Sequence, residues 1–233
     1  TTFSLFKGTG VVYAKFGSGS SPYNLYSLEN DGVLIHELAG SIYNAAVMPN
    51  PTNDINLIST HLNRQGSYVN LIRNKNEIIT KTLSGMPPNY NFNTANPLLI
   101  GAYTPLPTYN FNGAISEIIF FNDFLSIDDF NLVNNYLMDK VCPPVNLGYD
   151  TTINYGFCDV VLNATDYFDS YIWSTGETTS TCSVNQPGIY WVEVVDPFGR
   201  VSQDSIVVRR PVFDSTSIGP FYVCPNSSLD ISA

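Results

Sequence analysis

Positive charge is scarce in this chain of 233 residues. Ten lysines and arginines stand against 20 aspartates and glutamates, a net charge of -10. That balance excludes nucleic acid and an anionic membrane surface as the main partner. Charge of either sign is low at 13% of residues, so polarity comes from Asn, Ser and Thr. Two histidines, His36 and His61, are too few and too isolated for a histidine metal site, and no paired Cys-x-x-Cys occurs. An apolar run long enough to span a bilayer is missing. So are Gly-x-Ser-x-Gly, a phosphate loop and a dinucleotide fingerprint. No export signal is visible, the first residue is not Met, and both ends read as strands cut short. The expectation is an internal piece of a longer exported protein.

What is present is apolar and aromatic: 44% hydrophobic and 13% aromatic residues, enough to bury a core. The stretch Asn110 to Lys140 organises the rest. Ala114 to Phe121 is rich in β-branched and aromatic residues behind Gly113, which predicts a strand. Ser126 with Asp129 three residues on predicts a helix N-terminus. Ile127, Phe130, Val133 and Tyr136/Leu137 recur at helical spacing, and Lys140 suits the negative end of the helix dipole.

Upstream, residues 1 to about 109 alternate with period two and show no helix. Thr2 to Phe6, Val11 to Phe16, Tyr23 to Leu28, Val33 to Leu38, Ile55 to Leu62, Tyr68 to Arg73 and Glu77 to Leu83 are predicted strands. Gly-Thr-Gly divides the first two, and Asn30-Asp31-Gly32 is a hairpin signal. Two long proline-stiffened loops carry aromatics: Met86 to Asn93, with Tyr90 and Phe92, and Tyr103 to Tyr109, with an aromatic at each end. These four rings are the candidate ligand-binding residues, set to stack on sugar rings. The alternative is that they pack over the open ends of the sheets.

After Lys140 the texture changes. Cys142-Pro143-Pro144-Val145 reads as a stiff linker. Short strands then follow at Val160 to Asn163, Tyr171 to Trp173, Ser180 to Val184, Ile189 to Val195 and Val201 to Arg209, which suggests a β-sandwich of immunoglobulin size. Tyr190, Val192 and Val194 share one face of their strand and, with Trp173, make the expected core. Cys158 and Cys182 fall on strands able to neighbour each other and are read as a disulfide, two free thiols being the alternative. Cys142 is unplaced, and Cys224 is expected to pair inside a following repeat.

Two resemblances add to this reading. Phe111-Asn112-Gly113-Ala114-Ile115-Ser116-Glu117, then Leu125-Ser126, then a helix ending Tyr136-Leu137 and Lys140, resembles the closing signature of laminin-G/concanavalin-A-like jelly rolls. Tyr68-Val69-Asn70 through Asn74-Lys75 and Pro97-Leu98-Leu99-Ile100-Gly101 fit the same family, with Asn74 in a left-handed place that relatives often give to Gly. The resemblance implies loop calcium as the one cofactor to consider, with Asp31, Asp54 and Asp123 as loop acids able to hold it. Their spacing is not EF-hand-like, and solvated turn acids are the plainer reading. Some enzymes share this jelly roll. Their Glu-x-Asp-x-x-Glu strand is absent, because Glu117 is followed by Ile118-Ile119-Phe120-Phe121, so Glu117 is expected as a structural acceptor and the chain as no enzyme.

Residues Leu147 to Ile153, Cys158, Leu162-Asn163-Ala164, Tyr171 to Thr179 and Pro187 to Val192 resemble the Ig-like or PKD-like repeats of Bacteroidetes surface and gliding-motility proteins. Phe221 to Cys224 echoes Tyr155 to Cys158. The resemblance implies type IX export, a cell-surface location, and O-glycosylation at Thr151, Ser205 and Ser215, each preceded by Asp. The expected organisation is all-β: a jelly-roll sandwich with one short C-terminal helix over 1–141, an Ig-like β-sandwich over 142–209, and the start of a second repeat over 210–233. The expected role is adhesion. The jelly roll would recognise a glycan or protein, and the repeats would space it from neighbouring domains of the same chain. The alternatives are a purely structural stalk and an accessory module of a secreted polysaccharide-degrading enzyme.

Overall fold

A computed structural model of the chain describes residues 1–15, 25–30, 33–40, 42–49, 55–63, 68–82, 97–102, 110–154, 158–212, 224 and 226, with the backbone alone for 14, 15 and 25–49. Two units divide the chain, Thr1–Lys140 and Val141–Ala233. Both are built mainly of strands, and the described residues form one helix, in the first unit.

The first unit hangs on β1 (Thr2–Lys15). The glycines that predicted two strands lie inside a single one. Its first half pairs with β5 (Asn56–Asn63) on one side and β9 (Asn112–Phe120) on the other. Its second half pairs with β2 (Leu25–Asn30) and β8 (Leu98–Ile100). From β2 the sheet continues through β3 (Val33–Gly40) to β4 (Ile42–Pro49); from β5 it continues through β6 (Tyr68–Arg73) to β7 (Glu77–Thr82). β4 lies against β6 and β7, so the two wings face each other as a sandwich joined at β1. A strand that passes from one layer to another must bend. Gly8 and Gly10 supply that bend, with φ of 142° and 109°. β9 crosses there on Gly113, φ 152°. A Cβ on Gly8 would overlap the Asn112 carbonyl oxygen, and one on Gly113 would overlap that of Lys7.

Between the wings lies a core of Phe6, Val12, Tyr13, Ile58, Val69 and Leu71, lined further by Leu62, Ile79, Phe111, Ile115 and Ile118. Thr2 Oγ1 and the Tyr13 hydroxyl lie 3.1 Å apart, and burial pushes the Tyr13 phenol up to about 12. At the β6–β7 turn Asn74 adopts the expected left-handed conformation, φ 49°, and its Oδ1 accepts from Leu57 N at 2.9 Å.

The other face of β1 and β5 is covered by α1 (Ile127–Val141). Ser126 caps it as expected: Asp129 N donates to Ser126 Oγ at 3.1 Å, and that hydroxyl donates to Asp129 Oδ2 at 2.7 Å. The buried stripe differs from the expected one. Phe130, Asn134, Leu137 and Met138 face inward, while Ile127 and Tyr136 are exposed. Asn134 can be buried because its amide is satisfied: Oδ1 accepts from Ser59 Oγ at 3.0 Å and Nδ2 donates to Phe130 O at 3.1 Å. Lys140 does more than suit the dipole. It donates to Glu117 Oε2 at 2.6 Å, and that bond raises its pKa. Glu117 is thus the structural acceptor that the closing motif predicts.

In the second unit β10 (Thr151–Thr152), β15 (Val201–Arg209), β14 (Gly188–Val195) and β12 (Ser170–Trp173) form one sheet in that order. β11 (Val160–Asn163) and β13 (Thr181–Val184) form another. Alternation buries Tyr171, Trp173, Val192, Val194, Ile206 and Val208 from the first sheet and Leu162, Cys182 and Val184 from the second. Tyr190, expected in this core, is half-buried, its hydroxyl donating to Gln186 O at 2.9 Å. Asp196, which is buried, shapes the β14–β15 hairpin. Its carboxylate accepts from Phe198 N at 2.9 Å, Arg200 N at 2.8 Å and Arg200 Nε at 2.6 Å.

The expected Cys158–Cys182 disulfide does not form. Cys158 is bonded to Cys224, 66 residues away, and Cys182 is a buried free thiol. Register is the reason. Leu162 stands opposite Cys182 and Val160 opposite Val184, so Cys158 lies four residues further along the ladder. At about 3.3 Å per residue that is roughly 13 Å, beyond the span of a disulfide. Cys224 was expected to pair inside a following repeat, and it pairs back instead. Most of 210–233 lies outside the described residues.

Two outcomes follow from these contacts. Gly113→Ala, which forces a side chain into the β1–β9 crossing, should lower stability to urea by at least about 2 kcal/mol; an unchanged midpoint would show that the crossing tolerates a Cβ. Cys224→Ser should cost the second unit about 4 kcal/mol, the loop-entropy value for a closure of this length. Peptide mapping without reductant should recover Cys158 joined to Cys224, and recovery of a Cys158–Cys182 peptide would overturn the assignment.

Candidate functional site

The aromatic loops are the site that the sequence proposes, and the structure describes how one of them is rooted. β8 is three residues long and pairs with the second half of β1, Ile100 opposite Tyr13. Gly101 N donates to Val12 O at 2.9 Å, and Phe111 N donates to Gly101 O at 2.9 Å. Asn110 bridges to Val11. The loop bearing Tyr103 and Tyr109 therefore leaves and returns at one point, pinned to a buried stretch of β1. Phe111, the second residue past it, packs edge-on against Phe6 at 5.8 Å in the core. The other expected loop, Met86 to Asn93, falls in sequence between β7 and β8 and lies outside the described residues. Tyr90, Phe92, Tyr103 and Tyr109 themselves lie outside the described residues.

Of the three acids put forward for calcium, Asp31 and Asp54 lie outside the described residues. Asp123 is exposed, and its backbone carbonyl accepts from the Thr1 amino group at 3.1 Å and Thr1 Oγ1 at 3.0 Å. Among the described residues no group of three or more His, Cys, Asp or Glu gathers as a metal site would. No helix among them is long and apolar enough to cross a membrane.

Two of the three glycosylation candidates are among the described residues, on neighbouring strands of the second unit. Thr151 is half-buried in β10, and Ser205 is exposed on β15. The aspartates before them are already engaged. Asp150 Oδ1 accepts from Val207 N at 3.0 Å and Oδ2 from Arg209 at 2.7 Å, and the first of these bonds chiefly holds its carboxyl below the usual range. Asp204 Oδ2 accepts from Leu147 N at 2.7 Å. Ser215 lies outside the described residues.

One aromatic of the second unit stands on an outer face. Trp191 sits mid-strand in β14, the neighbour of both β12 and β15, on the solvent side of the sheet and 37% exposed. Alternation along Ile189 to Val195 predicts this placement, turning the Trp191 indole away from the core that Val192 and Val194 build, as a contact point between repeats or a ring shielded by neighbouring strands.

No family model and no curated protein matches the sequence. Among solved structures, the chain is similar to the CBM40 of the Ruminococcus gnavus IT-sialidase, at 17% identity and a TM-score of 0.43, over 57% of this chain and 80% of that one. The same module bound to alpha2,3 sialyllactose gives the same figures, 17%, 0.43, 57% and 80%. The leech intramolecular trans-sialidase complexed with 2,7-anhydro-Neu5Ac is 14% identical with a TM-score of 0.46, over 94% of this chain and 36% of that one. At such identities and scores these likenesses carry no function to this chain.

His61 is the described histidine whose side chain is placed, and it belongs to the packing. It lies under α1, its ring 4.1 Å from that of Phe130 and 4.8 Å from that of Phe124. Nε2 is buried without a hydrogen-bond partner. Burial, and then the positive Thr1 amino group, push its pKa down to about 4. The unfolded chain therefore takes up a proton near pH 6.5 that the folded chain refuses until about pH 4. The stabilisation tied to neutral His61 is whole above pH 6.5 and is lost as the pH falls towards 4, a loss on the order of 2 kcal/mol. The urea midpoint of wild type should therefore fall relative to that of His61→Leu between pH 7 and pH 4. A constant difference across that range would show that His61 does not titrate on unfolding.

Proposed function

We propose that this chain is a non-catalytic recognition module of an exported cell-surface protein. Its first unit presents aromatic loops to a glycan or protein, and its second unit acts as a spacer. The observation that carries this reading is the pinned root of loop 103–109. Gly101 N and Asn110 tie the two ends of a stretch that reads Tyr-Thr-Pro-Leu-Pro-Thr-Tyr to the same buried part of β1, and Phe111 N ties one end to the other through Gly101 O. Between those tied ends the sequence places two prolines, each of which fixes a backbone φ, and two tyrosines, whose rings offer faces for stacking at low entropic cost. Sugar rings are the ligand such faces fit best.

Export is supported by the Cys158–Cys224 disulfide, a bond that persists in oxidising compartments. The low content of basic residues agrees with a surface meant to stay apart from nucleic acid and anionic lipid. The second unit supports the spacer role through its tied-down edge. Val145 N donates to Ser202 Oγ at 3.1 Å, Leu147 N donates to Asp204 at 2.7 Å, and Ile153 N donates to Arg209 O at 2.8 Å. An edge already occupied in this way does not recruit strands from other chains.

The test is a glycan array probed with the whole chain and with the double variant Tyr90→Ala/Tyr109→Ala. The expected outcome is binding to a subset of glycans that weakens by about tenfold or more in the double variant, as loss of two stacking rings requires. Absence of binding to every glycan and to host-cell surfaces would leave the stalk as the better reading.

A further inference from the structure

The solvent-facing side of the four-stranded sheet carries an exposed aromatic ring. Successive residues of a strand alternate sides, so Trp191 shares its side of β14 with Ile189, Glu193 and Val195. Ser205 stands opposite Trp191 on β15, and Gln203 opposite Glu193. Ile172 on β12 stands opposite Glu193 from the other side. Ser174 locks the remaining flank: its Oγ accepts from Trp191 N at 3.2 Å, and its own N donates to Trp191 O at 2.9 Å. Ile172 is 52% exposed and Ile189 70%. Gln203 and Ser205 are exposed beside them. An indole is thus fixed on a strand bonded along both edges, with apolar neighbours on the diagonals and neutral hydrogen-bonding groups on the β15 side.

Size and charge decide what covers this face. Three strands spaced about 4.8 Å apart, over the seven residues Ile189 to Val195, present roughly 300 Å². A stable protein interface needs about 800 Å² from each partner, so the patch is too small to hold a second copy of the chain. It matches the footprint of two or three sugar rings. Glu193 contributes the carboxylate of this patch, and the cation on the same side of β15, Arg209, is held by Asp150 at 2.7 Å. An anionic sugar therefore finds repulsion here and no spare cation.

We propose that this face is a binding platform for a neutral di- or trisaccharide. One pyranose lays its C–H face on the Trp191 indole, and its hydroxyls bond to Ser205, Gln203 and Glu193. The platform is separate from the loops of the first unit and does not depend on their binding anything.

The whole chain is titrated with chitotriose, cellotriose, maltotriose, mannotriose and, as the anionic comparison, 3′-sialyllactose. Tryptophan fluorescence and calorimetry report binding, and sedimentation velocity reports self-association. At least one neutral trisaccharide should bind saturably and shift the fluorescence. Trp191→Ala should weaken it about tenfold, the factor for about 1.4 kcal/mol of lost stacking, while Trp191→Tyr, which keeps a ring, should stay within about threefold. Gln203→Ala, a surface change that spares the ring, should also weaken binding. Tyr90→Ala/Tyr109→Ala should leave the Trp191 response intact, which separates this platform from the loop reading. The proposal is overturned if no neutral trisaccharide binds, if Trp191→Ala binds as wild type does, if 3′-sialyllactose binds tighter than every neutral probe, or if the wild type dimerises through a contact that Trp191→Ala abolishes.

Discussion

The first unit depends on one strand serving four neighbours. β1 gives its first half to β5 and β9 and its second half to β2 and β8. Such a strand cannot stay straight, because its two halves belong to different layers. The bend falls where the backbones of β1 and β9 approach too closely for any Cβ, and glycine is the residue that meets both the sterics and the positive φ. Everything nearby inherits its position from that crossing. Phe6 and Tyr13 point into the core from opposite arms of the bend, Phe3 meets Phe130 of α1 at 5.3 Å, and Gly101 hangs on Val12 to root the aromatic loop.

Much of this was legible from residues. The closing strand and the Ser126 cap follow from local rules, and the left-handed Asn74 and the structural role of Glu117 from the jelly-roll resemblance. In the second unit Val160 to Asn163 and Val201 to Arg209 were bounded correctly, because β-branched runs there end in unmistakable turns. The division of β1 into two strands was an error of a different kind. Glycine is punctuation when the chain turns, whereas Gly8 and Gly10 mark a close approach inside a continuous strand. A partner 100 residues downstream decides between these meanings, and local pattern does not contain it.

The buried face of α1 and the disulfide were missed for related reasons. Periodicity counted Ile127 and Tyr136 as apolar and Asn134 as polar, but Ser59, on a strand far away in sequence, satisfies the Asn134 amide and makes it a core residue. Cys182 lay on a neighbouring strand, as expected, but at the wrong height on the ladder. Register is set by turn length and by which face is buried, so adjacency of strands does not bring two given side chains together.

The two units also treat their outer surfaces differently, and this bears on recognition. In the first, the side of β1 and β5 turned away from the core is covered by α1, whose Phe130, Leu137 and Met138 take that face out of solvent. With that face closed, the recognition proposed above is assigned to the loops, and a loop recognises well only when its base is fixed. In the second, no helix among the described residues covers the four-stranded sheet, and its outer face keeps a tryptophan between two exposed isoleucines. A fully apolar face of that kind would invite aggregation, and a fully polar one would bind nothing in particular. Interleaving Ser, Gln and Glu with the apolar residues along β14 and β15 avoids both. It leaves a surface suited to ligands that are themselves apolar on one side and hydroxylated at the rim, which is the chemistry of a sugar ring.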